Sequence, residues 1–504
     1  MTAQEAYKEF EKRCRELAVI QSSAAVLGWE ERTYMPPNGA GLRAEQLSYM
    51  SGLFHEKFTD PKFGELLSTV EASDMMKDPE SPEAVNIRET RRMYDKQTKL
   101  PRELVEELTK TTTLAQGEWV KARKASDFKA FLPWLEKVVK LLKQKAEAYG
   151  YEGEPYNALL DDYEPGATVD DVATVFEQLR NDLVDLLGRI KDAKKKPDQG
   201  IVNRAFDVDR QKVFGEMVSA AFGFDFQSGR LDITAHPFCS GFGPGDTRIT
   251  TRYNPNRLTD ALFGIMHETG HALYEMGLNK DKYFGLPMGE SISLGIHESQ
   301  SRMWENQVGR SRPFWEYSLP QAKRIFREAL EGVSLDDFYG AINYVTPSFI
   351  RVEADEATYN LHILLRFELE RAIMNDDIPL KDVADEWRKR FKKYFGIEVD
   401  NDANGCLQDV HWSAGYIGYF PTYTLGNLYA AQFFAKAKEE LPGLEEDIAG
   451  GYTGRLLDWL REKIHQQGQR YRATKLCEKV TGKPLSHKPL VDYMNRKFGE
   501  IYGI

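Results

Sequence analysis

The chain has 504 residues, enough for about three domains or for one large enzyme body. Asp and Glu total 78 against 67 Lys and Arg, a net charge of −11, which argues against a nucleic-acid partner and against docking on an anionic membrane. Hydrophobic residues make up 41% and charged residues 29%, the balance of a soluble globular protein with a large core rather than of a disordered one.

The opening segment, from Met1 to Leu17, is charged throughout and lacks the apolar run of a signal peptide. No stretch approaches the roughly 18 apolar residues of a membrane span. Four scattered cysteines, Cys14, Cys239, Cys406 and Cys477, form no CxxC pair. Sparse thiols suit a reducing compartment and exclude a disulfide framework or a cysteine-based zinc ribbon. A cytoplasmic protein is the expectation.

In chain order, the first 150 residues read as helices broken at Met35–Pro37 and at Leu100–Pro101. Thr168 to Asp171 is a capping-type start to a run through Val172, Val175, Phe176, Leu179, Leu183 and Leu187, spaced by three and four. Asp192 to Gly200 is the best candidate hinge. Arg230 to Tyr253 departs from the helical period: Leu231–Thr234 and Arg248–Arg252 look like strands, separated by a glycine-rich turn, Gly241–Gly245. A turn-forming stretch, Asn254–Leu258, then opens an amphipathic helix through Ile265, Met266, Ala272 and Leu273, stopped at Gly277. Ser348 to Met374 reads as a further helix, as does Leu380 to Phe395, closed by Gly396. Val399 to Ile417 is rich in Asp, Asn and Gly and breaks the pattern again. No repeat or flexible linker marks a domain boundary.

Six of the nine histidines, His236, His267, His271, His297, His362 and His411, fall in about one third of the chain. Among them is His267-Glu268-Thr269-Gly270-His271, an HExxH motif inside the amphipathic helix. Histidines four apart share one helix face, so both imidazoles can grip a single metal, while Glu268 beside them can hold a water without being a ligand. A catalytic zinc takes three protein ligands and keeps one position open. The extended metalloprotease pattern needs Gly at 274 and His at 277, where this chain has Tyr274 and Gly277, so the third ligand should be a carboxylate: Glu275, Glu290, Glu298 or Glu305. From His271 the helix runs roughly 9 Å to Gly277, and a helix returning from near Glu290 climbs roughly 12 Å to Glu298. That favours Glu298, with Glu290 too near the turn and Glu305 about two turns too far. Glu275 and His297 then stand behind the ligands.

His236-Pro237-Phe238, Asp246-Thr247-Arg248-Ile249-Thr250, HExxH, His297-Glu298-Ser299-Gln300, Ile350-Arg351 with Ala354-Asp355, and Gly405 to Trp412 through Gln408, Asp409 and His411 follow one another over about 180 residues. In motif, order and length the chain resembles the Taq-type thermostable metallocarboxypeptidases. The resemblance implies a mostly α fold, a large helical body with a long central groove as in neurolysin and a small β segment near the active site. It implies a cytoplasmic homodimer holding one divalent metal per subunit, usually zinc, though cobalt can serve in some members. It assigns His267, His271 and Glu298 as ligands and Glu268 as the catalytic base. It also implies release of single residues from peptide C-termini with broad specificity. Most of the chain then reads as one domain, 1–504, with its catalytic core at about 230–430.

Related groove-type peptidases stabilise the oxyanion with a Tyr or His on a downstream loop; Tyr423 and His411 are preferred here, with Tyr419 in reserve. A carboxypeptidase must bind a free carboxylate, which suits the planar fork of arginine. Arg351 is the first choice unless it pairs with Asp355 four residues on. Arg248 is the second, unless it orders the glycine-rich segment with Asp246. His236 either touches substrate or braces the groove. Two other readings stay open: a dipeptidyl carboxypeptidase or oligopeptidase using the same groove, and a peptide-binding protein with an inactive site.

Overall fold

The computed structural model describes residues 1–504. Helices dominate, as the three-and-four spacing requires. In the helix Val169–Asp192, Val172, Phe176, Leu179, Leu183, Leu186 and Ile190 form the buried stripe, and the Thr168 hydroxyl accepts the Asp171 N–H to start it. The N-terminal region is a hairpin of Ala3–Thr33 and Ala40–Phe58, followed by Pro61–Glu71 and Pro82–Lys99. The breaks fall at Met35–Pro37 and Leu100–Pro101, as expected, and at three further places capped by Asp60, Ser81 and Asp127.

Two large apolar cores result, beside a small one under the sheet. The main one joins 95 buried residues between Ala115 and Tyr502. A satellite of 12, built from Ala6 to Ile87 with Leu286 of the body, holds the N-terminal helices together.

The one sheet has three strands, β1 (Gly229–Ile233), β2 (Cys239–Gly243) and β3 (Asp246–Thr251), in the order β1-β3-β2. β1 runs parallel to β3 with Arg230 opposite Arg248, and β2 antiparallel to it with Ser240 opposite Arg248. The glycine-rich stretch expected as a turn is thus mostly strand, with a bulge between Gly241 and Gly243. β3 lies against the HExxH helix, Leu258–Gly277, where Ile249 and Ala272 share a small core with Phe224. A second helix, Leu294–Arg302, returns alongside and is capped by the Ser293 hydroxyl, which accepts the Ile296 N–H.

The helix expected from Ser348 begins later, at Glu356, because Asp355 caps it by accepting the N–H groups of Ala357 and Thr358. Leu380–Asp382 is a single 3₁₀ turn before the helix Val383–Phe395, which Gly396 closes in the left-handed conformation, φ 69°. The stretch rich in Asp, Asn and Gly is a series of turns leading into the helix Pro421–Glu440.

Candidate metal centre

The HExxH helix buries Ala261, Leu262, Ile265, Met266, Ala272 and Leu273. The same turn spacing aligns His267 and His271 on the flank facing the return helix. Their ring centroids lie 4.8 Å apart. Oε2 of Glu298 lies 3.5 Å from Nε2 of His267 and 3.4 Å from Nε2 of His271. Around a tetrahedral ion with bonds of about 2.1 Å, ligand atoms stand roughly 3.4 Å from one another. This is the one cluster of His, Cys, Asp and Glu donors that converges in the chain.

Glycines allow the approach. A Cβ on Gly270 would lie 2.6 Å from the Gln300 carbonyl and from Cα of Ser301, and a Cβ on Gly426 would lie 2.6 Å from Cβ of Glu298. The glycine inside HETGH is therefore set by the passage of one helix backbone over another.

Each donor is held from behind. His267 Nδ1 lies 3.0 Å from Glu305 Oε2. His271 Nδ1 meets His297 Nδ1 at 2.6 Å, His297 Nε2 meets Glu275 Oε1 at 2.8 Å, and Glu275 also pairs with Lys280. Glu298 Oε1 accepts from Arg302 Nε at 2.6 Å, while Oε2, which accepts from the Ser301 hydroxyl at 3.1 Å, faces the two imidazoles. Arg302 also donates to Glu305 at 3.1 Å and lies 4.3 Å over the Tyr359 ring. Spacing alone put Glu305 too far away; a π-helical turn, Met303–Val308, brings it to His267.

Burial opposes the charge on Glu298, but Arg302 and the two histidines outweigh it and hold the carboxylate ionised. Burial drives His271 down to about 3, so its imidazole is neutral. Burial would lower His267 too, but Glu298 and Glu305 outweigh it and raise the group. Two imidazoles with their outer nitrogens held and their Nε2 atoms facing one carboxylate oxygen fit a divalent metal. Glu268, 7% exposed, sits beside them, and burial lifts its carboxyl to about 7.

The loop Gly405–Phe420 brings the remaining residues in. His411 Nε2 lies 3.3 Å from the Tyr423 hydroxyl, and the His411 ring stacks on Phe420 at 4.3 Å. Tyr419 lies 5.3 Å by ring centroids from both His411 and Tyr423. Burial lowers His411 to about 3 and raises Tyr419 to about 12, with the Glu298 charge adding to the latter. The loop is stapled at both ends by one buried carboxylate: Glu370 accepts from Trp412 Nε1 at 2.8 Å, from the Gly418 N–H at 3.1 Å and from the Tyr156 hydroxyl at 2.8 Å.

Arg351 does not pair with Asp355. It donates from Nε and Nη2 to Oδ1 of Asp409, at 2.9 Å each, and from Nη1 to the Tyr359 hydroxyl at 3.3 Å. Arg366 holds the other oxygen of Asp409. Two cations thus share one anion. Arg248 is held by Asp246 through two 2.8 Å bonds and lies 4.6 Å over Trp29. His236 stands exposed between β1 and β2 and is not among the three converging donors.

Sequence reasoning missed Arg302, Asp409, Glu370 and the part Glu305 plays. Arg302 had a readable signal, the four-residue spacing from Glu298. Glu370 had none, because its partners Trp412 and Tyr156 are 42 and 214 residues away.

The family model described as carboxypeptidase Taq (M32) metallopeptidase matches residues 9–498. A thermostable carboxypeptidase 1 from Thermus thermophilus is 45% identical over 100% of both chains, and a carboxypeptidase 1 from Bacillus subtilis is 36% identical over 98% of both. The crystal structure of an M32 carboxypeptidase from Deinococcus radiodurans R1 superposes with a TM-score of 0.96 at 39% identity, covering 99% of this chain and 100% of that one. No helix is long and apolar enough to cross a membrane. The donor cluster, the helical body and a family match across nearly the whole length make this chain a member of the carboxypeptidase Taq (M32) metallopeptidase family.

Proposed function

We propose that this metallocarboxypeptidase removes single residues from peptide C-termini with broad specificity, with His267, His271 and Glu298 holding one zinc ion per subunit and cobalt able to replace it. The convergence of those three donors beside the buried carboxyl of Glu268 carries the reading. Held by these three side chains, a divalent ion would supply Lewis-acid polarisation of the scissile carbonyl and a water acidified toward a pKa of about 7.

Glu268 takes the proton from the attacking water and passes it to the leaving amine. Its carboxyl, raised to about 7 by burial, suits both halves of that transfer near neutral pH. The Tyr423 hydroxyl donates to the oxygen that becomes negative, His411 orients that hydroxyl through Nε2, and Tyr419 packs against both. Arg351 receives the substrate carboxylate. Asp409 occupies its Nε and Nη2 edge, so the peptide takes the Nη1 side, drawn by the cation left over when Arg351 and Arg366 share one aspartate. Arg248, fixed by Asp246 and Trp29, and the exposed His236 contact the peptide from the sheet side.

A peptide and its C-terminal amide separate this reading from an endopeptidase in the same groove. The free acid should be cut about ten- to a hundredfold faster, the value of one charge-assisted hydrogen bond. Equal rates would remove Arg351 from its role.

By resemblance we also propose a cytoplasmic homodimer and a single domain, 1–504, with its catalytic core at about 230–430. Leu286 packing into the N-terminal satellite core supports the single domain. Light scattering at 57.7 kDa, the monomer mass, would remove the dimer.

A further inference from the structure

The two ends of the metal centre differ in chemistry. At one end Arg302, Arg351 and Arg366 gather around Glu298 and Asp409. At the other end the return helix begins at Ser293, and there a cavity of about 430 Å³ opens. Ser293 precedes Glu298 by five residues, roughly 7.5 Å of helix rise. Tyr163 lines this cavity, and its ring also packs edge-on to Tyr419, 5.1 Å between centroids. The first helix provides a continuous wall: Leu17 lines the cavity, and Trp29, roughly 18 Å further along, lies under Arg248. The cavity therefore lies on the Ser293 side of the centre, joined to it through the Tyr163–Tyr419 contact, with Cys14, Leu17 and Phe58 of the satellite core in its wall.

Its charges cancel in pairs. Lys96 meets Asp161 at 2.6 Å and Asp162 at 2.8 Å, Arg92 meets Asp161 at 2.7 Å, and Arg472 meets Glu89 at 2.7 Å. The surface left for a ligand is uncharged, about half of it apolar, with Phe54, Met93 and Tyr149, and half polar, with Gln21, Gln97 and Gln469.

We propose that this cavity is the subsite for the peptide residues upstream of the scissile bond, taking uncharged side chains, apolar ones included. The proposal rests on Arg351 as the carboxylate anchor. A peptide held there by its C-terminus runs past the three ligands and away from the arginines. At about 3.3–3.6 Å per residue its second and third residues beyond the cleaved bond arrive at the cavity. Neutralised walls leave no strong preference for one sequence, in keeping with broad specificity.

The test compares an N-blocked dipeptide with a pentapeptide of apolar upstream residues that shares its last two residues. Met93 is a wall residue 39% exposed, so Met93→Trp fills the cavity without entering the core, and Gln97→Trp, one turn on and exposed, repeats the test. In the wild type the pentapeptide's kcat/KM should exceed the dipeptide's by about tenfold or more, the value of burying one apolar side chain. Either variant should abolish that advantage through KM and leave the dipeptide unchanged. Equal loss for both peptides, or no preference in the wild type, overturns the proposal. Calorimetry of both peptides on the Glu268→Gln protein reads the same ratio without turnover. Equal affinities there refute the subsite alone, whereas binding without hydrolysis in the wild type refutes only the catalytic reading.

Discussion

Glu268 and Glu298 are both buried carboxyls within one site, and their surroundings push them apart. Glu298 is held ionised because Arg302 and the histidines outweigh its burial, whereas burial wins at Glu268 and raises it to about 7. Their substitutions should separate accordingly. Glu268→Gln should retain the metal and lose about 10²–10⁴-fold in kcat. Glu298→Ala should lose the metal itself, and normal metal content in that protein would mean another group is the third ligand. His267 adds a pH dependence. Its folded-state pKa is raised and a metal needs the neutral imidazole, so protons compete increasingly as pH falls through that raised value. Metal affinity should drop by about tenfold per pH unit below it, one proton for one ion. Calorimetric titrations between pH 8 and 5 that gave a constant affinity would contradict this.

Elements bring these residues together, and here the sequence was legible in part. HExxH inside an amphipathic run was readable because both its chemistry and its period are local. The return of Glu298 to the depth of His271 was estimated from helix rise, although the return helix starts at Leu294 rather than near Glu290. The π-helical turn that presents Glu305 was not readable, since nothing in Met303–Val308 announces a change of period. Nor was the later start at Glu356, because Asp355 acts as a cap only once the chain before it has left the helix. β2 was read as a turn because glycine is common to both; Gly241 stands in a strand where its missing Cβ makes room for Glu275. Gly270 tests the helix-on-helix contact. Gly270→Ala has a better helix former, yet its methyl would meet the Gln300 carbonyl at 2.6 Å. The variant should therefore melt several degrees lower and bind metal more weakly. A melting temperature equal to or above that of the wild type would show that the return helix tolerates displacement.

At the scale of the whole molecule, the net charge of −11 does not describe the site, where Arg302, Arg351 and Arg366 interleave with Glu298, Glu305 and Asp409. The main core joins the loop Gly405–Phe420 to the helices Leu258–Gly277 and Leu294–Arg302, while the satellite core holds the N-terminal helices together. That division was invisible in sequence, because both cores are made from the same helical period. With one metal bound, the protein should cut one residue at a time from a free C-terminus. Time-resolved mass spectrometry of a defined peptide, with the metal bound, after chelation and after zinc is restored, tests it most directly. A ladder of single-residue losses from the C-terminus should appear, stop on chelation and resume with zinc; losses in pairs, internal cuts, or a ladder that continues undiminished without metal would refute single-residue, metal-dependent cleavage.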